Sequence, residues 1–233
     1  MTSEQFTDKE IENTRNKVGK NVKERQFKGL SLAERKQVRR EKLIEAGIQA
    51  YGTHGFFSVT VKDICVEAKL TERYFYESFK KSEQLFQCIF LKLIETLQST
   101  LMQAIIEVAP NPKQMIHSGL SALFKLLKDN PRMARIIYID AMLVQELHQQ
   151  ATIKETMGRF DRMIDVFVQS AMPHLSPTEA EISLMATGLN GYVTQIAVRW
   201  VMDDFKQSLD EIVAACEVVF VALLEKFVPQ SAT

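Results

Sequence analysis

The residues best suited to chemistry lie between Thr60 and Leu85, and their chemistry is recognition rather than turnover. Glu72, Arg73 and Tyr74 directly follow Thr71, a residue type that caps helix N-termini. Polar side chains on such a first helical turn are placed to meet base edges in a DNA major groove. An Arg pairs with the two acceptors on guanine's major-groove edge, and a Glu accepts from the cytosine amine. Arg73 is the expected specificity residue; the alternative is that Glu72 and Arg73 pair only with each other or with phosphates. Lys62, Lys80 and Lys81 flank this turn and are expected to contact the DNA backbone. Phe75 and Phe79 are four residues apart and belong to the core side of the same helix.

Two short helices must hold these side chains. The first opens at Thr60, with Asp63 three residues on as in a capping box, and carries Ile64 and Ala68 on one face. The second opens at Thr71. A short helix, a tight turn and a second helix make a helix-turn-helix. Upstream, Ser31-Leu-Ala-Glu34 is another capping box. It starts a helix whose expected buried face is Val38, Ile44, Ile48 and Tyr51, and Gly55 ends it. Phe56 and Phe57 are expected to pin that helix to the motif, and Cys65 is read as a small packing residue.

Over roughly Arg39–Leu85 the sequence resembles the TetR family of bacterial transcription regulators. Gly55, Thr60, Cys65, Tyr76, Phe79, Glu83 and Leu85 occupy the positions of that family's motif. The resemblance implies an all-α fold, with a helix-turn-helix head over residues 31–81 and a ligand-binding, dimerising helical body over residues 82–233. It implies double-stranded DNA as partner, with Tyr76 donating to a phosphate, and Thr60 and Thr71 join the expected DNA-binding residues. Three positions depart from the pattern: Lys69 stands where the turn often has Gly, Arg73 where the recognition helix often has Gly, and Ser82 where a phosphate-binding Lys is usual.

The rest of the chain reads as helices with clear punctuation. From Ser82, a wide apolar face runs through Leu85, Phe86, Ile89, Phe90, Leu93, Ile94, Leu97 and Leu101. Pro110 and Pro112 end that helix, and Asn111 caps the next, which runs to about Lys128. Asp129-Asn-Pro131 breaks the chain again. Further helices are expected from Thr152 to Met172, from a cap at Ser176 and Pro177 to about Met202, and from Ser208, boxed by Glu211, to about Phe227. No strand pattern or internal repeat is visible.

The body carries most of the chain's 10 Met and 14 Phe, and Met-lined cavities suit varied apolar ligands. Plain core is the alternative for any one of them. With the resemblance, a pocket for an apolar small-molecule effector is expected among Phe90, Met115, Phe124, Tyr138, Met142, Met163, Phe167 and Tyr192. The resemblance also implies a homodimer formed through the last two helices, with Ala186, Val193, Ala197, Val213, Cys216, Val219, Phe220 and Leu223 as candidates; the alternative is that half of them face their own core. Gly188 and Gly191 would admit close approach of a helix or a ligand.

Charge sharpens the reading. Residues 1–83 hold 17 Lys and Arg against 13 Asp and Glu, a net +4, balanced by −4 in the remainder; the stretch 15–42 alone is +8. Only one end is therefore suited to a polyanion. Residues 1–30 are polar and basic, and are expected to form a mobile arm or a helix ordered only on DNA. Cys65, Cys88 and Cys216 are widely spaced, which suggests reduced thiols in a cytoplasm. No secretory signal and no bilayer-length apolar run is expected, so no membrane partner. His54, His117, His148 and His174 are scattered without ligand or nucleophile–base spacing, so neither an enzyme nor a metal or other cofactor is expected. Two functions remain: a ligand-responsive regulator, a repressor on a palindromic operator, or a DNA-organising protein of the same fold without an effector.

Overall fold

The computed structural model describes residues 31–144, 155, 158–160, 162–164 and 178–227, and the chain divides into two units, residues 1–39 and 40–233. Every element among the described residues is helical, so the fold is all-α. The basic arm of residues 1–30, Phe167, most of the helix expected over 152–172 and the Ser176–Pro177 cap lie outside the described residues.

Helix α1 (Leu32–His54) opens at its capping box: the Ser31 hydroxyl accepts from the Glu34 N–H at 3.2 Å, and the Glu34 carboxylate accepts from the Ser31 N–H at 2.7 Å. Leu43, Ile44, Ala46 and Tyr51 are its buried side chains, whereas Val38 is 46% exposed. At 3.6 residues per turn Val38 lies about 120° around the helix from Ile44, so it cannot share that face. Gly55 ends α1 with φ +86° and starts a 3-10 turn, Phe56–Ser58. Phe56 is buried, and packs on Tyr51 and Phe86 with ring centroids at 5.3 and 4.9 Å. Phe57 is 70% exposed and does not pin the motif as expected, because consecutive residues of a tight turn point in different directions.

Helices α2 (Val61–Glu67) and α3 (Glu72–Ser78) form the helix-turn-helix. Thr60 and Asp63 make the full capping box on α2. At its other end the Leu70 N–H donates to the Cys65 carbonyl and the Lys69 N–H to that of Val66, with Lys69 at φ 54°. This is a Schellman close, which asks for a left-handed residue and explains why glycine suits the position. Thr71 sits at the α3 N-cap, yet its side chain makes no capping bond.

Helix α4 (Ser82–Ile106) buries all eight residues of its expected apolar face. By length and composition it is also apolar enough to cross a membrane, contrary to the expectation that no run was. The eight residues of its apolar face are buried inside the protein, while Met102 and Ile106 near its end are exposed: α4 packs along α5 (Pro112–Asp129), which in turn packs on α9 (Leu209–Phe227). Asn111 caps α5, accepting from the Gln114 N–H at 3.1 Å. Helix α6 (Pro131–Arg135) passes into a π-helical turn, Ile136–Asp140, then α7 (Ala141–Leu143). Helix α8 (Glu179–Met202) opens on a Thr178–Glu181 capping box, not at Ser176, and α9 follows the expected Ser208–Glu211 box.

Candidate DNA-reading head and effector cavity

The turn residues of α3 divide by burial. Phe75 and Phe79 are fully or nearly fully buried, which leaves Glu72, Arg73 and Tyr76 outward, with Tyr74 half-buried. The Arg73 side chain is 84% exposed and its Nε lies 3.1 Å from the Glu77 carboxylate, one turn on, rather than beside Glu72. Tyr76 is 58% exposed, its ring edge-on to Phe75. Lys62, Lys80 and Lys81 are exposed, with Lys81 3.9 Å from Glu83. The Thr60 hydroxyl is engaged by Asp63 at 2.6 Å. The helix is held from behind: the Arg40 guanidinium lies 5.0 Å over the Phe79 ring and reaches Cys88 Sγ at 2.7 Å on α4.

Helix α4 joins this head to the body. A Cβ built on Gly47 of α1 would stand 2.5 Å from the Ile89 Cδ1 and 3.2 Å from a Leu85 methyl, so glycine lets α4 side chains pack directly on the α1 backbone. From the next residue of α4 onward, Phe90, Ile94, Leu97 and Leu101 line a cavity of about 290 Å³.

A second join is electrostatic and was not legible in the sequence. Asp140, at the end of the π-helical turn, is 3% exposed and lies 3.6 Å from Arg135 Nε, an ion pair too long for a hydrogen bond. Its Oδ1 lies 3.4 Å from where a Gly55 Cβ would be. Burial pushes the Asp140 carboxyl above its ordinary range, against the pull of Arg135 and of the Phe56 backbone N–H. A carboxylate with a raised folded-state pKa opposes folding at neutral pH, and that opposition fades as pH falls through the raised value toward the ordinary range. The melting temperature of Asp140→Asn relative to wild type should therefore be more favourable at pH 7 than near about pH 4.5. A difference that stays flat or reverses over that range contradicts the assignment.

The cavity is apolar and brings together five expected residues: Phe90, Met115, Tyr138, Met142 and Met163. Phe124 does not line it. Its ring packs edge-on to Trp200 at 5.5 Å instead. Nor does Tyr192, whose hydroxyl donates to the Ala215 carbonyl at 3.0 Å and ties α8 to α9. Val193 and Phe220, expected at a dimer contact, line the cavity instead. Ile105, Gly119, Ile137 and Phe160 also line it and were missed, since helical periodicity marks a buried face without saying whether a void lies against it.

Four other dimer candidates, Ala186, Ala197, Val213 and Cys216, are buried within the chain's own core, and Val219 and Leu223 are half-buried. Burial pushes the Cys216 thiol up to about 12, leaving it inert. The outward faces are different residues. Leu184, Gly188 and Gly191 are exposed on α8, with open space at both glycines, and Ala214, Ala215, Val218 and Ala222 are exposed on α9. The register of each helix, not its composition, decided which small residues face out.

A helix-turn-helix head carried on an all-α body with an internal apolar cavity defines the class of this protein. No family model matches the chain. The probable acrEF/envCD operon repressor of Escherichia coli is 23% identical over 171 residues, 70% of this chain and 76% of that protein. The fatty acid degradation regulator FadR of Bacillus halodurans superposes with a TM-score of 0.66 at 16% identity, covering 84% of this chain and 97% of that one. FadR of Bacillus subtilis, in complex with stearoyl-CoA, gives 0.65 at 18% identity over 78% and 97%. A TetR-like transcriptional regulator of Rhodococcus sp. RHA1 gives 0.62 at 14% over 81% and 96%. The chain has the fold of the TetR-like regulators, in agreement with its Thr60–Leu85 motif.

Proposed function

We propose that this chain is a cytoplasmic, ligand-responsive transcription regulator, a repressor that binds a palindromic operator as a homodimer and is released by an apolar small molecule. The carrying observation is α4. One helix packs on α1 at Gly47 through Leu85 and Ile89 and, from Phe90 onward, forms a wall of the apolar cavity. A ligand that moves this wall must tilt the head. In a dimer, tilting changes the spacing of two recognition helices that an operator holds to matched half-sites. Arg73 reads a base, while Tyr76, Lys62, Lys80 and Lys81 hold phosphates. The +8 segment of residues 15–42 adds attraction independent of sequence. A DNA-organising protein without an effector would have no use for the cavity.

Footprinting on the intergenic DNA beside the gene tests this. A single protected two-fold site is expected, whose affinity falls when a cavity ligand is added. By linkage that ligand must bind the DNA complex more weakly than the free protein, by a coupling of about 1–3 kcal/mol. Many dispersed sites and no ligand effect would reject the repressor reading.

The dimer is assigned to the outward faces of α8 and α9. Val218, 66% exposed on an Ala-rich face, would be central to it. Val218→Asp should convert the dimer to monomer in sedimentation equilibrium and lower operator affinity at least tenfold, because a buried unpaired carboxylate costs more than one valine contributes. An unaltered dimer places the interface elsewhere.

A further inference from the structure

Taking the cavity as the effector site, we infer that its ligand is an uncharged apolar molecule bearing a hydrogen-bond acceptor, such as a ketone or ester carbonyl, and that Tyr138 selects it by donating its hydroxyl to that acceptor. The wall excludes ions. Phe90, Leu101, Met115, Ile137, Met163 and Phe220 represent its character, and no Lys, Arg, His, Asp or Glu lines it among the described residues. A carboxylate or ammonium entering it would lose its hydration and meet no counter-charge from the described residues.

Three polar residues, Asn190, Thr194 and Tyr138, interrupt this wall, and the most buried of them is Tyr138. It is 8% exposed and lines the cavity, and its hydroxyl has no hydrogen-bond partner among the described residues. The hydroxyl is therefore available to an acceptor on a ligand that enters the cavity. Burial raises the phenol's pKa, so the group is a donor at every physiological pH. A donor placed in such a wall favours a ligand that satisfies it over an isostere that does not. The same π-helical turn carries Tyr138 and Asp140, so a ligand held by Tyr138 pulls on the turn whose other end lies against Gly55. The volume of about 290 Å³ suits a ligand of about ten heavy atoms, at about 30 Å³ for each water-sized group.

Calorimetric titration of the full chain with octan-2-one, octane, octanoate and octylammonium tests this. Octan-2-one should bind most tightly and the two ions not at all at concentrations where the ketone saturates. Tyr138→Phe should weaken octan-2-one about fivefold and leave octane unchanged. On binding to wild type, the carbonyl stretch of carbon-13-labelled octan-2-one should shift down from its value in hexane, a readout that needs no variant to fold. Tighter binding of octanoate or octylammonium overturns the uncharged class, and an unshifted carbonyl, or a Tyr138→Phe protein that binds the ketone as wild type does, overturns the role of Tyr138. If none of the four probes binds, the cavity is not an effector site, and the regulatory reading falls with it.

Discussion

Gly55→Val should destabilise the protein by about 2–4 kcal/mol. Two costs combine. Gly55 sits at φ +86° and ψ 153°, a region almost closed to residues with a Cβ and worst for a β-branched one. That Cβ would also stand 2.6 Å from Arg135 Nη2 and 3.4 Å from Asp140 Oδ1, so the guanidinium would have to swing aside and loosen its pairing with the buried Asp140. For a chain of this size each kcal/mol moves the melting temperature by about 2–4 °C, giving a drop of roughly 5–15 °C in a circular-dichroism melt. Gly55→Ala should show a smaller loss of the same sign. A melting temperature within a degree of wild type would mean that the α1 terminus re-folds around the substitution and that the Asp140 contact is soft.

Arg73→Ala should weaken operator binding by about 1–3 kcal/mol, roughly fivefold to 150-fold, and relax preference at one base position. Magnitudes decide between its two possible partners. The free protein holds Arg73 against Glu77 one turn on, with 84% of the Arg73 side chain exposed. Such an exposed i,i+4 pair is worth about 0.3–0.5 kcal/mol, less than a bidentate guanine contact, so DNA should win the side chain. Glu77→Ala should then strengthen operator binding slightly by removing the competitor and a negative charge. Selection from a randomised operator library, read as affinity at each position, checks both. Uniform loss across all sequences with Arg73→Ala would make Arg73 a phosphate contact. Arg73→Lys should behave like the Ala variant at the base position, because an ammonium cannot reproduce the fork.

The local elements were legible because their signals are local. Capping boxes at Ser31, Thr60 and Ser208 and the Asn111-Pro112 start hold as read, since each is a bond between residues three apart in sequence. The eight apolar residues of α4 are all buried as their period demands, and the head motif was readable because a helix-turn-helix lies within one short stretch of chain. Lys69 illustrates a departure from family pattern with a visible backbone consequence: the turn keeps its left-handed residue whether or not that residue is glycine.

Tertiary structure alone decided what each buried face meets. Phe90 and Phe124 read alike in the sequence, as aromatics on apolar faces, yet one looks into a cavity and the other packs on Trp200. Periodicity reports which side of a helix leaves water, and carries no information about whether a neighbour fills the space beyond it. The same limit misassigned the last two helices. Ala186, Ala197, Val213 and Cys216 are buried and Val193 and Phe220 face the cavity, while Gly188, Gly191, Ala214 and Val218 face outward. Fourteen of the 19 positions of α9 are apolar or small, more than one face can hold, and packing against α5 decides which of them turn inward. Asp140 is the extreme case: a single acid in an apolar run, indistinguishable by type from a solvated one, made significant only because folding brings Arg135 and Gly55 to it from one turn away and from 85 residues upstream.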